Sequence, residues 1–108
     1  MIAIAAQHIF DGHVSHGEGV VLIEEGRIVT ITGEAPPGVP VDNWREGVII
    51  APGFIDAQVN GAGGVLLNAT PTAEAMRAIA RAMAATGTTT ILPTLITDAP
   101  GQMEKALL

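Results

Sequence analysis

The feature that most constrains the fold of this chain is a pair of apolar strands separated by one amphipathic helix. The strands are predicted over residues 53–60 and 88–92, and apolar side chains recur between them at helical spacing. That apolar stripe consists of Met76, Ile79, Ala80, Met83 and Ala84. This order predicts a parallel βαβ unit, and parallel strands need cover on both faces. Because one such unit cannot supply that cover, we expect the parent fold to be a larger α/β barrel or doubly wound sheet.

The ends of the predicted helix carry local signals. Thr70 is a suitable N-cap, and Pro71 then occupies the first helical position. Gly87 is expected just beyond the last turn, where a left-handed backbone conformation ends many helices. These signals predict a helix from about residue 71 to residue 86.

The C-terminal residues predict the start of a second helix. Pro100 suits its first turn, and Thr97 or Asp98 is expected to cap it, with Asp98 favoured. No Gly, Asn or Pro stops this helix before Leu107 and Leu108. We therefore expect the sequence to be cut within a longer protein, with Leu107 and Leu108 continuing the helix.

Residues 1–51 form a β-rich segment that differs from the α/β segment of residues 52–108. A two-residue Glu25-Gly26 connection predicts a β-hairpin, and residues 34–40 are expected to form a loop. Antiparallel strands are predicted at residues 2–5, 19–24, 27–31 and 48–50. The boundary between the two segments is expected near Ala51-Pro52.

Composition excludes several classes of protein. The chain is 48% hydrophobic and only 3% aromatic, which indicates an ordered, aliphatic core. A net charge of −6 with scattered basic residues argues against nucleic-acid and anionic-membrane partners. The absence of cysteine excludes disulfides, thiolate metal sites and a cysteine nucleophile. With no signal-peptide pattern and no apolar run of membrane-spanning length, we expect a cytoplasmic protein.

Two side-chain amides mark the end of the first predicted parallel strand. Gln58 and Asn60 share a face with Asp56, because strand side chains alternate. The carboxyl ends of parallel strands are where α/β enzymes build active sites, although amides are poor zinc ligands. The alternative interpretation is that both amides only cap the strand and satisfy loop backbone groups.

The glycines that follow this strand allow two interpretations. Gly61, Gly63 and Gly64 could form a backbone nest for an oxyanion or phosphate. Their spacing matches neither a P-loop nor a dinucleotide-binding fingerprint, so a tight strand-to-helix turn is favoured.

Three histidines near the N-terminus raise the possibility of a metal site. His8, His13 and His16 have spacings that fit neither the i, i+4 pair of a helix nor the i, i+2 pair of a strand. We therefore expect surface loop histidines and no metal ligand within the chain.

From Pro52 the sequence reads Pro-Gly-Phe-Ile-Asp, which resembles the first barrel strand of the amidohydrolase superfamily. Most members of that superfamily carry His-x-His next, as a pair of metal ligands, where this chain has Gln58-Val59-Asn60. That departure resembles the N-acetylglucosamine-6-phosphate deacetylase family. The resemblance extends over residues 51–98 and includes Asn68, the Thr70-Pro71-Thr72 run and the segment 87–96.

This resemblance implies a fold and a reaction. The fold class is α/β, the N-terminal part of a (β/α)8 TIM-like barrel preceded by part of a small β-sandwich. The implied reaction is metal-dependent hydrolysis of N-acetylglucosamine 6-phosphate to glucosamine 6-phosphate and acetate, with one divalent ion, zinc being expected. The family's metal ligands and catalytic base match no residue here, so the chain alone is expected to be inactive and metal-free. Gln58, Asn60 and Gly61 are expected to line the active site, and the full-length parent is expected to be a homodimer.

Two other functions are also compatible with the sequence. One is a different amidohydrolase, acting on a cyclic amide or another N-acyl amino sugar, although Gln58 and Asn60 weigh against it. The other is a non-catalytic β-rich binding module, against which the uncovered parallel strands weigh.

Overall fold

The computed structural model describes residues 1–44 and 46–106, and these residues divide into two compact units. The first unit spans Met1–Pro52 and the second Gly53–Leu108. The prediction that Leu107 and Leu108 continue the last helix lies outside the described residues.

The N-terminal unit is a five-stranded sheet in which β1 is central. Strand β1 pairs antiparallel with β2, which pairs antiparallel with β3. Strand β1 also pairs in parallel with β4 and β5, so the prediction of an antiparallel strand at residues 48–50 is wrong in direction. The strands are β1 Ile2–Phe10, β2 Ser15–Glu24, β3 Arg27–Thr32, β4 Val41–Asn43 and β5 Ile49–Ile50. The first two strands are longer than the sequence pattern predicts, because backbone pairing between Ile9 and Gly17 continues past the apolar residues.

The central strands of this sheet bury apolar side chains on both of their faces. Ala3 and Ala5 pack with Val20 and Leu22 in one apolar cluster. Ala6, Ile9 and Val21 form a second cluster. The small alanine side chains let neighbouring segments approach the β1 backbone closely, which explains a strand that is apolar at nearly every position.

The predicted hairpin between β2 and β3 is confirmed. Glu25 has φ 51° and Gly26 has φ 74°, the left-handed pair that a two-residue hairpin turn requires. Gly26 adopts this conformation without steric cost, whereas Glu25 adopts it under strain.

The C-terminal unit is built on a parallel pair of strands joined through a helix. Strand β6 Phe54–Val59 pairs in parallel with β9 Thr88–Pro93, and α1 Ala73–Ala84 lies between them in sequence. A short hairpin of β7 Gly61–Ala62 and β8 Val65–Leu66 precedes α1, and α2 Pro100–Glu104 follows β9. The predicted strand–helix–strand order is therefore confirmed as an α/β unit.

Helix α1 packs against β9, the short hairpin and the end of β6. Ile79 is fully buried and packs with Val59 and Leu67. Met76 and Met83 lie half-buried against this cluster, whereas Ala80 and Ala84 of the predicted stripe are exposed. The buried stripe is therefore rotated from the predicted one toward Ala75, which is buried.

The N-cap of α1 is Thr72, so the prediction of Thr70 is wrong. The Thr72 side-chain oxygen accepts a hydrogen bond from the backbone N–H of Ala75 at 3.2 Å. Thr70 instead belongs to the turn before the helix, where its N–H donates to the Leu66 carbonyl. Gly87 does take a positive φ, of 87°, after the C-cap Ala85.

The glycine-rich segment after β6 is also different from the prediction. A tight strand-to-helix turn is expected there, but Gly61 lies in β7 and pairs with Leu66 of β8. Gly63 and Gly64 form the tip of this hairpin with φ 60° and 80°. A side chain at Gly61 would collide with the carbonyl oxygen of Val65, so close strand contact requires glycine at this position.

Candidate functional site

The candidate site is the edge of the C-terminal unit where β6 and β9 both end. The backbone N–H of Thr94, just after β9, donates to the carbonyl of Val59 at 2.9 Å. The residues that follow the two strands, from Asn60 and from Thr94 onward, therefore lie side by side. In parallel α/β sheets this carboxyl edge is the usual place of an active site.

Asn60 ties the two strand ends together through its side chain. Its half-buried Nδ2 donates to the Thr94 carbonyl at 3.0 Å and to Thr94 Oγ1 at 2.9 Å. Its own carbonyl accepts from the Leu67 N–H at 2.8 Å. These are the contacts of a strand cap, and an active-site role for Asn60 stays a prediction.

Gln58 lies on the other side of the strand from the helix. Val59, which is 4% exposed, packs against Ile79, so the alternating Gln58 projects from the opposite face, where its side chain is exposed. The half-buried Asp56 lies next to it, and Asp56 Oδ1 accepts from the Gln58 N–H at 3.1 Å where the strand pairing is irregular. The chain thus leaves the Gln58 amide exposed, with the half-buried Asp56 carboxylate beside its backbone.

The side chain of Asn68 forms a third connection at this edge, one that the sequence reasoning did not select. Asn68 is 8% exposed, and its Oδ1 accepts from the Ile96 N–H at 2.8 Å. Its Nδ2 donates to the Ile96 carbonyl at 2.7 Å and to Asp98 Oδ2 at 3.2 Å. The only sequence signal was its place in the family resemblance.

Asp98 does not cap α2, contrary to expectation. The N-cap is Ala99, which makes no side-chain capping bond, while Asp98 Oδ1 accepts from the Ala99 N–H at 2.7 Å. The hydrogen bonds from Ala99 and Asn68 favour the carboxylate and lower the pKa of Asp98 below its ordinary value.

The three histidines lie on the surface of the N-terminal unit, as predicted, but only His13 lies in a turn. His8 belongs to β1 and His16 to β2. The Asp11 carboxylate accepts hydrogen bonds from the backbone N–H groups of Val14 and His13, and it pairs with His16 at 2.8 Å. These contacts favour the ionised carboxylate and hold the pKa of Asp11 well below its ordinary value. Across residues 1–44 and 46–106 no group of three or more metal-ligating side chains comes together.

Among the helices in the described part of the chain, none is long and apolar enough to cross a membrane. No protein-family model matches the sequence.

Known proteins do match it. The chain is 45% identical over 69 residues to the N-acetylgalactosamine-6-phosphate deacetylase of Shewanella sp. (strain ANA-3), a match that covers 64% of this chain and 17% of that protein. Its fold matches N-acetylglucosamine-6-phosphate deacetylase from Pasteurella multocida with a TM-score of 0.83 and 25% identity, over 98% of this chain and 28% of that one. The same enzyme from Mycobacterium smegmatis matches with a TM-score of 0.78 and 26% identity, over 99% of this chain and 30% of that one. A variant of the Mycobacterium enzyme binds N-acetyl-D-glucosamine-6-phosphate in its crystal structure.

The proteins that this chain matches in sequence and in fold are amino-sugar phosphate deacetylases. The predicted resemblance to N-acetylglucosamine-6-phosphate deacetylase is confirmed, and this chain corresponds to the N-terminal portion of such enzymes. The chain spans less than a third of the length of each relative.

Proposed function

We propose that this chain is the N-terminal portion of an enzyme that hydrolyses N-acetylglucosamine 6-phosphate to glucosamine 6-phosphate and acetate. The observation that carries the proposal is the fold match to the Pasteurella enzyme over 98% of this chain. The 45% identity to the Shewanella deacetylase supports the same class of reaction, removal of an acetyl group from an amino-sugar phosphate.

The role proposed for this chain is to build the first part of a (β/α)8 barrel and one wall of its active site. The exposed Gln58 and the half-buried Asp56 would then point toward the barrel interior, and the Gly61 hairpin would border the same end. An exposed Gln58 amide can both donate and accept hydrogen bonds, as recognition of a sugar hydroxyl or an acetamido group requires. Asn60, whose amide is bound to Thr94, would set the spacing between the first two barrel strands.

Metal dependence is part of this proposal, but the residues of this chain do not fit a metal site. The described residues bring no three ligating side chains together, and the Nδ2 of Asn60 is engaged by Thr94. Neutral amides are also weak ligands for zinc. A single divalent ion, with zinc as the proposed metal, would therefore be held by residues outside this chain.

We further propose that the whole enzyme is cytoplasmic, as its sequence pattern predicts, and a homodimer, as the family resemblance implies. The 108-residue chain, lacking a ligand set and a catalytic base, would by itself neither bind zinc nor release acetate.

A second candidate substrate is N-acetylgalactosamine 6-phosphate. The relative with 45% identity is named as a deacetylase of N-acetylgalactosamine 6-phosphate, whereas the structural matches are named as deacetylases of N-acetylglucosamine 6-phosphate. The two sugars differ only in the configuration at one hydroxyl carbon, so the class of reaction is unchanged.

The experiment that tests the proposal measures kcat/KM of the longer protein containing this chain for both N-acetylhexosamine 6-phosphates, with and without a chelator. We expect chelator-sensitive acetate release, with the glucosamine epimer preferred. Preference for the galactosamine epimer would select the second candidate. Failure to hydrolyse either sugar phosphate would overturn the proposed function.

A further inference from the structure

Asn68 fixes a loop at the carboxyl edge of the parallel pair, although it makes none of the contacts proposed above for the substrate. The loop in question, residues 94–99, joins β9 to α2 and is here named the β9 loop. Its first residue, Thr94, is held by Asn60 and by the Val59 carbonyl. Ile96 and Asp98, further along the loop, have a different anchor, the side chain of Asn68.

Both ends of the Asn68 carboxamide are used in this contact. Oδ1 accepts from the Ile96 N–H, while Nδ2 donates to the Ile96 carbonyl and to Asp98 Oδ2. Both backbone groups of one loop residue are thus paired with a single buried side chain. The backbone carbonyl of Asn68 in turn accepts from Gln102 Nε2, which links the same point to α2.

Only an amide fits this position. A carboxylate of the same shape would keep the acceptor for the Ile96 N–H but would place negative charge against the Ile96 carbonyl and Asp98. An alanine would leave the backbone groups of Ile96 without these partners, at a position where Asn68 is only 8% exposed.

We propose that Asn68 is a positioning residue for the deacetylation reaction, holding the β9 loop in its place at the catalytic edge. The inference rests on the proposed function, because the loop matters for catalysis only if this edge is the active-site end of a barrel. Asn68 acts through the loop and does not touch the substrate.

The first arm of the test measures amide hydrogen exchange in the longer protein and needs no activity. In Asn68→Ala the Ile96 amide should exchange about tenfold faster or more, because its acceptor is removed. The Thr94 amide, bound to Val59, should keep its protection. Thr97→Ala, an exposed change in the same loop, is the matched control and should leave the exchange of the Ile96 amide unchanged.

The second arm measures kcat/KM and its pH profile for Asn68→Asp. At pH values where the introduced carboxyl group and Asp98 are both ionised, we expect a loss of about 10- to 100-fold relative to wild type. Burial and the facing Asp98 should raise the pKa of the introduced carboxyl group, and its protonated form regains a donor. The ratio of wild-type to variant activity should therefore shrink as pH falls. Lys105, whose Nζ donates to Gln102 Oε1 at 3.1 Å, is a further ionisable group linked to this region.

The outcomes separate the two claims. Faster exchange at Ile96 together with a pH-dependent loss of activity supports the positioning role. Faster exchange with kcat/KM unchanged, or a loss of activity that is explained by a lower Tm and shows no pH dependence, overturns it. Unchanged exchange overturns the anchoring itself. A wild-type protein that lacks deacetylase activity but protects Ile96 overturns the proposed function and leaves Asn68 with an architectural role alone.

Discussion

Replacing Asn60 by alanine tests what joins the ends of the two parallel strands. The change removes two hydrogen bonds, at 3.0 Å and 2.9 Å, from Nδ2 to the carbonyl and the hydroxyl of Thr94. A typical protein hydrogen bond contributes about 0.5–1.5 kcal/mol net, so the pair corresponds to about 1–3 kcal/mol. Because Asn60 is half-buried and water can replace part of the loss, we expect the unfolding free energy to fall by the lower part of that range.

The two acceptors can be separated by a second substitution. Thr94→Val removes the hydroxyl acceptor but keeps the carbonyl, so it should cost about half as much as Asn60→Ala. In the double variant the effects should be less than additive, because both single changes delete the same contact to Oγ1. Asn60→Asp keeps the shape of the side chain but cannot donate, and it should be at least as destabilising as alanine.

The assay combines urea unfolding with kcat/KM and metal content of the longer protein. If catalysis requires the two strand ends to stay in register, Asn60→Ala should lower turnover by roughly 5- to 150-fold. This range is the rate effect of losing about 1–3 kcal/mol. The variant protein should still contain its metal. Loss of the metal would identify Asn60 as a ligand. Unchanged stability and unchanged turnover together would refute the reasoning.

Three further predictions concern packing, a turn and pH. Ile79→Ala, at a fully buried position against Val59, should lower the unfolding free energy by about 2–5 kcal/mol in denaturant titrations; a loss below about 1 kcal/mol would contradict the packing described. Glu25→Asn relieves a positive φ in the hairpin turn and should raise stability by about 0.5–1 kcal/mol, so a lower Tm would count against the turn geometry. Asp98 has a lowered pKa in the folded state, so its stabilising contribution is complete above its ordinary value of 3.8 and is lost as pH falls below it. The unfolding free energy of the wild type should therefore fall more than that of Asp98→Asn between about pH 5 and pH 2. Equal falls in the two proteins would show that Asp98 does not contribute to the pH dependence of stability.

Local chemistry explains which parts of the fold were predictable from sequence. The Glu25-Gly26 turn and the positive φ of Gly87 follow from backbone preferences of neighbouring residues. The parallel pair follows from β-branched and apolar runs on either side of one amphipathic helix.

Tertiary contacts explain what the sequence pattern missed. Thr70 and Thr72 are the same residue type and are equally suitable as N-caps. Thr72 is the N-cap because the helix begins where Ala75 and Ile79 can be buried. The hairpin of β7 and β8 replaces the expected tight turn because Gly61 allows Val65 to approach its backbone.

The candidate site was predictable only in part, for the same reason. Strand alternation placed Gln58 opposite the buried Val59, but the partner of the Asn60 amide, Thr94, lies 34 residues away in sequence. Asn68 bonds Ile96 and Asp98, which are 28 and 30 residues away. No local pattern encodes contacts of that range, so they become visible only once the strands are paired.

The measurement that tests the central claim most directly is acetate release from N-acetylglucosamine 6-phosphate by two purified proteins, the longer enzyme and the 108-residue chain alone. We predict that the longer enzyme forms one acetate for each glucosamine 6-phosphate and loses activity when its metal is removed, while the chain alone forms none. Acetate formation by the chain alone, or none by the metal-loaded longer enzyme on either N-acetylhexosamine 6-phosphate, would contradict it.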